Sequence, residues 1–441
     1  MVETNLKIIN ELKLVLEEIT TNTALRSYFT INPEAFIRDR KLTMKRLIGI
    51  IINLPKRSLS IEIKSFFDLI ENDSPATKGA FSLQRSKLLP VFFQVWNKWL
   101  VDSFYEHYGE KIKRWKGFKL LAVDGSTAFL IDRKDVVDYF GTQGNQHGES
   151  PMARVMQIYD VLNDITVMGN IYPIKTSEQA IISTQVEYLF SDSITLFDRG
   201  FPSYELLFLM LNQETPRHFV IRCKTSFNKE VAAFVQSKET SKIVAFKPSA
   251  KAMAKLLKRG YIITAQTAIK IRMVKVKLSS GEIEVLLTNL YNEDLYTVSD
   301  FKYLYGLRWG IETSYGTQKN QMQMEQFSGH RIICIQQDYA ASVFVANLQS
   351  LISKQCENHL QKINLTRKYN YKINRNVSWA SVKDNIVRLF LNNNPVEILG
   401  QLQHIFERYI EPIRPGRNFK RIKKINHGGK YRTLTNYKRA L

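Results

Sequence analysis

Leucine and isoleucine recur at three- and four-residue spacing through residues 1–111, with breaks at Asn32-Pro33, Leu54-Pro55 and Ser74-Pro75. That periodicity predicts a run of short helices. From residue 112 the pattern changes. KGFKLLAVDGSTAFLI holds a short apolar run, Leu120 to Val123, that ends on Asp124 and reads as a buried strand. ARVMQIYDVLND and ITVMGNIYP read as two more strands about an Asn163-Asp164 turn, with Asp160 and Asp164 as turn residues. TSEQAIISTQVEYLF has helical spacing and opens at Thr176 or Ser177. Ile194 to Phe197 is a fourth strand ending on Asp198 and Arg199, a helix begins after Pro202, and RHFVIRC is one more strand.

This order (strand, strand, strand, helix, strand, helix, strand) is that of a ribonuclease H-like α/β core, whose first and fourth strands are neighbours. Adjacent strand ends would bring Asp124 and Asp198 together. Two carboxylates so placed repel unless a cation lies between them. Residues 223–297 do not continue the core pattern and read as a mostly β, basic insertion. AIKIRMVKVKL alternates apolar with basic residues (Lys270, Arg272, then Lys275 and Lys277 after a shift at Met273-Val274), Ser279-Ser280-Gly281 turns, and IEVLLTNL returns. Its basic face is either a solvated edge or a nucleic-acid contact. The domain reading is thus a helical DNA-binding region over 1–111, a first core segment over 112–222, the insertion over 223–297, a second core segment over 298–350, and a helical region with a basic tail over 351–441.

The second core segment carries FKYLYGLRWGIETSYGTQKNQMQMEQFSG, residues 301–329. At about 100° per residue, one helix would hold Tyr305, Arg308, Glu312 and Lys319 within roughly a 60° arc. Leu304, Leu307, Ile311 and Met322 form a separate apolar arc. Such a polar stripe is a solvated, salt-bridged face or a wall that binds metal and phosphate. The two upstream aspartates favour the wall, because Glu312 then completes a set of three carboxylates.

Charge sharpens this. Lysine and arginine total 63 against 41 acidic residues, a formal charge of +22 in 441 residues, which suggests a polyanionic partner. Basic residues cluster at Arg38, Arg40, Lys41, Lys45, Arg46, Lys56 and Arg57, and at Lys78, Arg85 and Lys87 near a predicted helix start. After Glu411 no acid occurs, and the tail reads as a basic arm that orders on DNA or RNA. No apolar run has transmembrane length, and MVETNLKIINELKLVLEEI reads as an amphipathic helix, not a signal peptide. Cys223, Cys334 and Cys356 give neither a disulfide framework nor a zinc spacing, so a reducing cytoplasm is expected. The seven histidines show no metal-ligand spacing, and Walker A, GxGxxG and GxSxG sequences are absent. Two-metal phosphodiester chemistry remains, with carboxylates fixing two Mg²⁺ about 4 Å apart.

Tyr305, Arg308, Glu312 and Lys319 match Y-x2-R-x3-E-x6-K, and the chain here resembles DDE transposases of the insertion-sequence 4 family. VDGS at Asp124 and FDRGF at Asp198 resemble that family's two aspartate motifs. The likeness runs over residues 36–440. It implies catalytic and metal-binding roles for Asp124, Asp198 and Glu312 with two Mg²⁺ ions (Mn²⁺ as the alternative), and phosphate contacts from Tyr305, Arg308 and Lys319. It also implies a homodimer on paired double-stranded DNA ends and cut-and-paste transposition at terminal inverted repeats, in the bacterial cytoplasm at the nucleoid and without a membrane. One departure stands out. No Trp lies between Asp198 and Arg308, where relatives stack a flipped base; Phe227, Phe234, Phe246 and Tyr261 are the candidates to replace it. A nuclease or resolvase without strand transfer, and a non-catalytic DNA-binding descendant, are the competing readings.

Overall fold

The computed structural model describes residues 2–38, 40–70, 74–145, 148–277, 281–391 and 394–414. The tail from 415 on, the Ser279-Ser280 turn, His147 and His427 lie outside them. A mixed sheet forms the centre. Its strands are β1 (Lys119–Phe129), β2 (Thr142–Asn145), β3 (Gly148–Asp160), β4 (Ile165–Pro173), β5 (Ser193–Phe197), β6 (His218–Cys223), β7 (Ser241–Phe246), β8 (Ile269–Lys277) and β9 (Ile283–Thr288). The order is β2-β3-β1-β5-β6-β9-β8-β7, with β4 also paired to β3. Strands β1, β5 and β6 are parallel to one another, and β3 and β4 run as antiparallel neighbours.

Apolar side chains on alternate strand positions bury both faces of the sheet. On one face Leu121, Val123, Phe197, Met273 and Leu287 pack against the helices Glu178–Ser183, Tyr204–Leu211, Lys229–Gln236 and Ala250–Lys258. On the other, Leu120, Leu196, Val274 and Leu286 meet Leu304 of the helix Val298–Leu307, while Ala122 and Val155 meet Ile311 and Tyr315 of the helix Trp309–Asn320. A separate core joins the two ends of the sequence. The helices Val2–Thr21, Met44–Ile52, Leu59–Ile70 and Val91–Tyr108 bury Ile8, Ile48, Phe66 and Trp96 against Phe344, Phe390 and Phe406 of the helices Ile332–Lys354, Arg375–Leu391 and Pro395–Arg408. Trp96 stacks on Phe344 at 4.0 Å between ring centroids, and its indole N–H donates to the Leu12 carbonyl. The Ile332–Lys354 helix also gives Tyr339 and Val343 to the sheet core, so it fixes the helical layer to the sheet.

Several features differ from the sequence expectation. β1 does not end at Asp124 but continues to Phe129, because β3 pairs with it beyond the point where β5 stops. The insertion is not a separate β unit. Its strands β7, β8 and β9 extend the central sheet, and it carries two helices. No register shift occurs at Met273-Val274, where β8 pairs with β9 without interruption. Arg272, Met273 and Val274 are all buried because this strand is covered on both faces. Arg272 is only 1% exposed and donates to the Leu290 and Tyr296 carbonyls and the Ser241 hydroxyl, so the basic face is smaller than the sequence suggested. Phe234 and Phe246 are core residues, which removes them as exposed stacking surfaces. Arg85 is 2% exposed, ion-paired to Asp338 at 2.6 Å and bonded to Gln337, and so ties the N-terminal helices to the Ile332–Lys354 helix. Asp160 is fully buried and caps the β3-β4 turn, accepting from the backbone N–H groups of Leu162 and Asn163, from the Asn163 amide and from the Tyr105 hydroxyl.

Candidate active site

The register of β1 against β5 positions the two aspartates. Their parallel pairing runs from Lys119↔Ser193 to Val123↔Phe197, so the next residue on each strand, Asp124 and Asp198, emerges at the same point of the sheet. Both paired runs are buried along their whole length and mainly apolar, as expected where a sheet is covered on both faces. After Asp198 the chain leaves the sheet, and Ser203 caps the following helix by accepting from the Leu206 N–H.

Glu312 arrives from the opposite layer. The expected single helix through Tyr305 and Lys319 is broken: one helix spans Val298–Leu307, another Trp309–Asn320, and Arg308 is the joint. The break falls between Gly306 and Gly310, residues that weaken a helix interior. Gly310 has a packing reason as well, since a Cβ there would stand 3.3 Å from Val161. The second helix is bound to the strands by Tyr315, whose hydroxyl donates to the Asp124 main-chain oxygen at 2.9 Å, and by Gln318, which bonds to Gln157 at 2.8 Å. Gln157 pairs directly with Asp124 across β1 and β3.

The cation among these acids is Arg308. It is 4% exposed; Nη2 donates to Glu312 Oε1 at 2.8 Å and Nη1 lies 3.8 Å from Asp124 Oδ2. Its Nε is buried without a hydrogen-bond partner. Tyr305, also buried, donates its hydroxyl to Asp198 Oδ1 at 3.3 Å. The sequence reading turned both residues toward DNA, whereas here they face the carboxylates. Neighbouring strand ends that carry acids demand compensation, and these two side chains supply part of it, alongside the Gly125 backbone N–H that donates to Asp124 Oδ1 at 2.9 Å. Lys319 is half-buried and its electrostatic neighbour is Glu325, whose Oε1 accepts from the Phe129 N–H at the far end of β1. It is therefore one step removed from the three acids.

Burial pushes the Asp124 carboxyl up to about 6, with Glu178 and Glu312 adding to the rise and Arg308 and the Gly125 N–H opposing it. Burial also raises the Tyr305 phenol, which keeps it a neutral donor, and lowers the Lys319 ammonium. Two acids escaped the sequence reading. Glu178, ion-paired to Arg154, lies against Gly125, where any Cβ would collide with its carboxylate. Glu284 on β9 is buried, pairs with Arg222 at 2.8 Å and acts electrostatically on Arg308 and Asp198. The glycine after Asp124 was the only local sign of the first, and nothing local marks the second.

Among the described residues no group of three or more His, Cys, Asp or Glu side chains stands close enough to hold a metal ion. The donor chemistry at this edge still suits a hard divalent ion, since Asp124, Asp198 and Glu312 offer only carboxylate oxygens.

The chain matches the model of the transposase DDE domain over residues 102–348. It is 26% identical over 110 residues to the putative transposase InsZ of Escherichia coli K12, a match that covers 24% of this chain and 37% of that relative. The chain thus spans little more than a third of the length of the curated relative. The cryo-EM structure of the piggyBac transposase synaptic complex with hairpin DNA aligns over 93% of this chain and 88% of that one, at 12% identity and a TM-score of 0.45. The matched domain model takes in more than half the chain, with both aspartate strands and the broken helix of Arg308 and Glu312, and this chain belongs to the transposase DDE domain family.

Proposed function

We propose that this chain is a DNA transposase of the insertion-sequence 4 type that nicks double-stranded DNA at terminal inverted repeats and joins the freed ends to a target. The observation that carries the reading is the convergence on one sheet edge of Asp124, Asp198 and Glu312, joined by Arg308 and Tyr305. The strand order β4-β3-β1-β5-β6 supports a ribonuclease H-like core. In this proposal Asp124, Asp198 and Glu312 are the catalytic acids and would hold two Mg²⁺ or Mn²⁺ ions. When bound, such ions activate water or a 3′-hydroxyl and stabilise the leaving oxygen. The chain's own residues orient the substrate: Arg308 and Tyr305 offer donors to phosphate oxygens at the scissile position, and Lys319 meets the backbone further along. Residues 1–111 and the basic tail bind DNA outside the site, and two copies act on paired ends in the bacterial cytoplasm, at the nucleoid.

The test is a plasmid carrying the element's ends, incubated with Mg²⁺ and either the wild type or Asp198→Asn. Wild type should nick at the ends and yield insertion products. The variant should bind end DNA and cleave nothing. Equal cleavage by both would remove Asp198 from the chemistry, and cleavage without insertion products would favour a nuclease.

A further inference from the structure

We infer that Arg308 is an internal counter-ion that holds the carboxylates in a metal-excluding arrangement until a DNA phosphate draws it away, so that metal binding is coupled to end binding. The inference rests on the metal-triad reading above and adds a regulation of that site.

Three observations carry it. First, the guanidinium already occupies the acids: one nitrogen is 2.8 Å from Glu312 and another 3.8 Å from Asp124, and Asp198 acts on it electrostatically. A divalent ion sharing these oxygens would meet a fixed positive charge at contact distance. Second, the arginine is almost fully buried, so it cannot simply turn into water when its anions are taken. Removing the partners of a buried charge is costly, and a replacement anion is required. Glu284, the other buried acid near it, is engaged by Arg222. A phosphodiester oxygen matches the forked geometry of a guanidinium and is the anion this protein's substrate would bring. Third, Arg308 is the joint between two helices. Its own N–H bonds to the Tyr305 carbonyl and its carbonyl accepts from Ile311 N–H, both three residues away, and Gly306 has no atom within contact distance of a Cβ position. A joint of this kind can re-aim its side chain through small backbone changes, without unfolding either helix. Trp309 is 59% exposed and lies 5.3 Å below the guanidinium, which gives the departing side chain a ring to rest on.

The sign of the coupling follows. Without DNA, Arg308 and the metal compete for Glu312 and Asp124. With a phosphate in place they do not, so DNA should tighten metal binding and metal should tighten DNA binding by the same factor. Arg308 is then a positioning residue whose removal should help metal binding in the free protein, the opposite of what a purely DNA-contacting arginine predicts.

The experiment measures Mn²⁺ affinity by electron paramagnetic resonance for the wild type, Arg308→Gln, Arg308→Lys and Asp124→Asn. Each is measured alone and with a duplex of the sequence flanking the gene that ends in a 3′-deoxy terminus and cannot react. Thermal melting and circular dichroism verify the fold. Wild type should bind Mn²⁺ about tenfold more tightly with the duplex than without it. Arg308→Gln alone should bind about as tightly as wild type with duplex, and gain little from DNA. Arg308→Lys, whose single ammonium cannot fork between two carboxylates, should fall between them, and it decides the matter should the Gln variant misfold. Unchanged or weaker Mn²⁺ binding in the DNA-free Arg308 variants, with Asp124→Asn abolishing binding, would overturn the coupling and leave the metal triad standing. Mn²⁺ binding to the wild type that Asp124→Asn leaves intact would overturn the triad itself.

Discussion

Tyr315→Phe isolates the link between the first aspartate and the helix of the glutamate. Tyr315 is buried, and its hydroxyl donates to the Asp124 main-chain oxygen at 2.9 Å. The Gln157 backbone N–H acts on the same phenol oxygen, so the hydroxyl is shared between β1 and β3 where Asp124 sits. Burial holds the phenol far above its ordinary range, so it is a neutral donor at any working pH. Phenylalanine fills the same space and creates no cavity. The loss is one neutral hydrogen bond plus the cost of a less satisfied buried carbonyl, about 1–3 kcal/mol. The ties of Gln157 to Gln318 at 2.8 Å and to Tyr339 at 3.1 Å remain, so the helix stays docked. What changes is the spacing of Asp124 and Glu312, and an ångström-scale misplacement of reacting groups can cost about 100-fold in rate. Urea denaturation, a filter-binding assay with duplex DNA and single-turnover plasmid nicking would read the three quantities. The expected pattern is a modest loss of stability, unchanged DNA affinity and a nicking rate lowered by about 10–100-fold. Unaltered nicking together with unaltered stability would refute the idea that this hydroxyl aligns the acids.

Arg85→Met leaves Asp338 buried without its cation and should cost about 3–5 kcal/mol in urea denaturation, whereas Arg85→Met with Asp338→Leu should recover most of that loss. Gly125→Ala puts a methyl into the Glu178 carboxylate and should lower the melting temperature and plasmid nicking together; adding Glu178→Ala should relieve the clash, so the double variant melts no lower than Glu178→Ala alone. Asp160, raised by burial to about 6, binds its proton more tightly folded than unfolded. Its contribution is therefore complete below the ordinary aspartate range and is lost as the pH rises through about 6. Denaturation midpoints should fall over that interval, and Asp160→Asn should flatten the change; an unchanged slope in the variant would assign it to other groups.

The runs that lead into the two aspartates, Leu120 to Val123 and Ile194 to Phe197, were legible because each is a short, mainly apolar stretch followed by an acid, a pattern that burial on both faces imposes. The Asn163-Asp164 turn was legible for a local reason too, with Asp164 at a φ of 57° in the left-handed region that aspartate tolerates. The helix break at Arg308 was not, because a helical wheel assumes one axis and two glycines only lower the cost of leaving it. The interior arginines were not legible either. Arg85 and Arg272 look like any basic residue in a chain with a surplus of them, and Arg308, though marked by its motif, gave no sign of facing inward; the partners Asp338, Tyr296 and Asp124 lie 24 to 253 residues away. Composition reports how many charges there are and says nothing about which of them face inward.

That division bears on how the positive surplus works. Of the formal +22, nine charges fall after residue 414, where no acid occurs, which leaves thirteen for the rest of the chain. Several arginines of that remainder are spent inside the protein: Arg85 fastens the helical layer, Arg272 fastens the extension of the sheet, and Arg308 neutralises the acids. Counterion release on DNA depends on the cations that reach phosphates, so on the proposed function the surface residues and the tail would set overall affinity and its salt dependence. A buried arginine adds little to that long-range attraction. It can act only at contact distance, where, in the coupling inferred for Arg308, one phosphate would replace one carboxylate. On the proposed function the same residue type would serve two ends: exposed cations would concentrate DNA on the protein without regard to register, and the enclosed Arg308 would respond when a phosphate stands at the carboxylates. If the coupling holds, such a protein would bind DNA broadly and still keep its acids occupied wherever the strand is not seated.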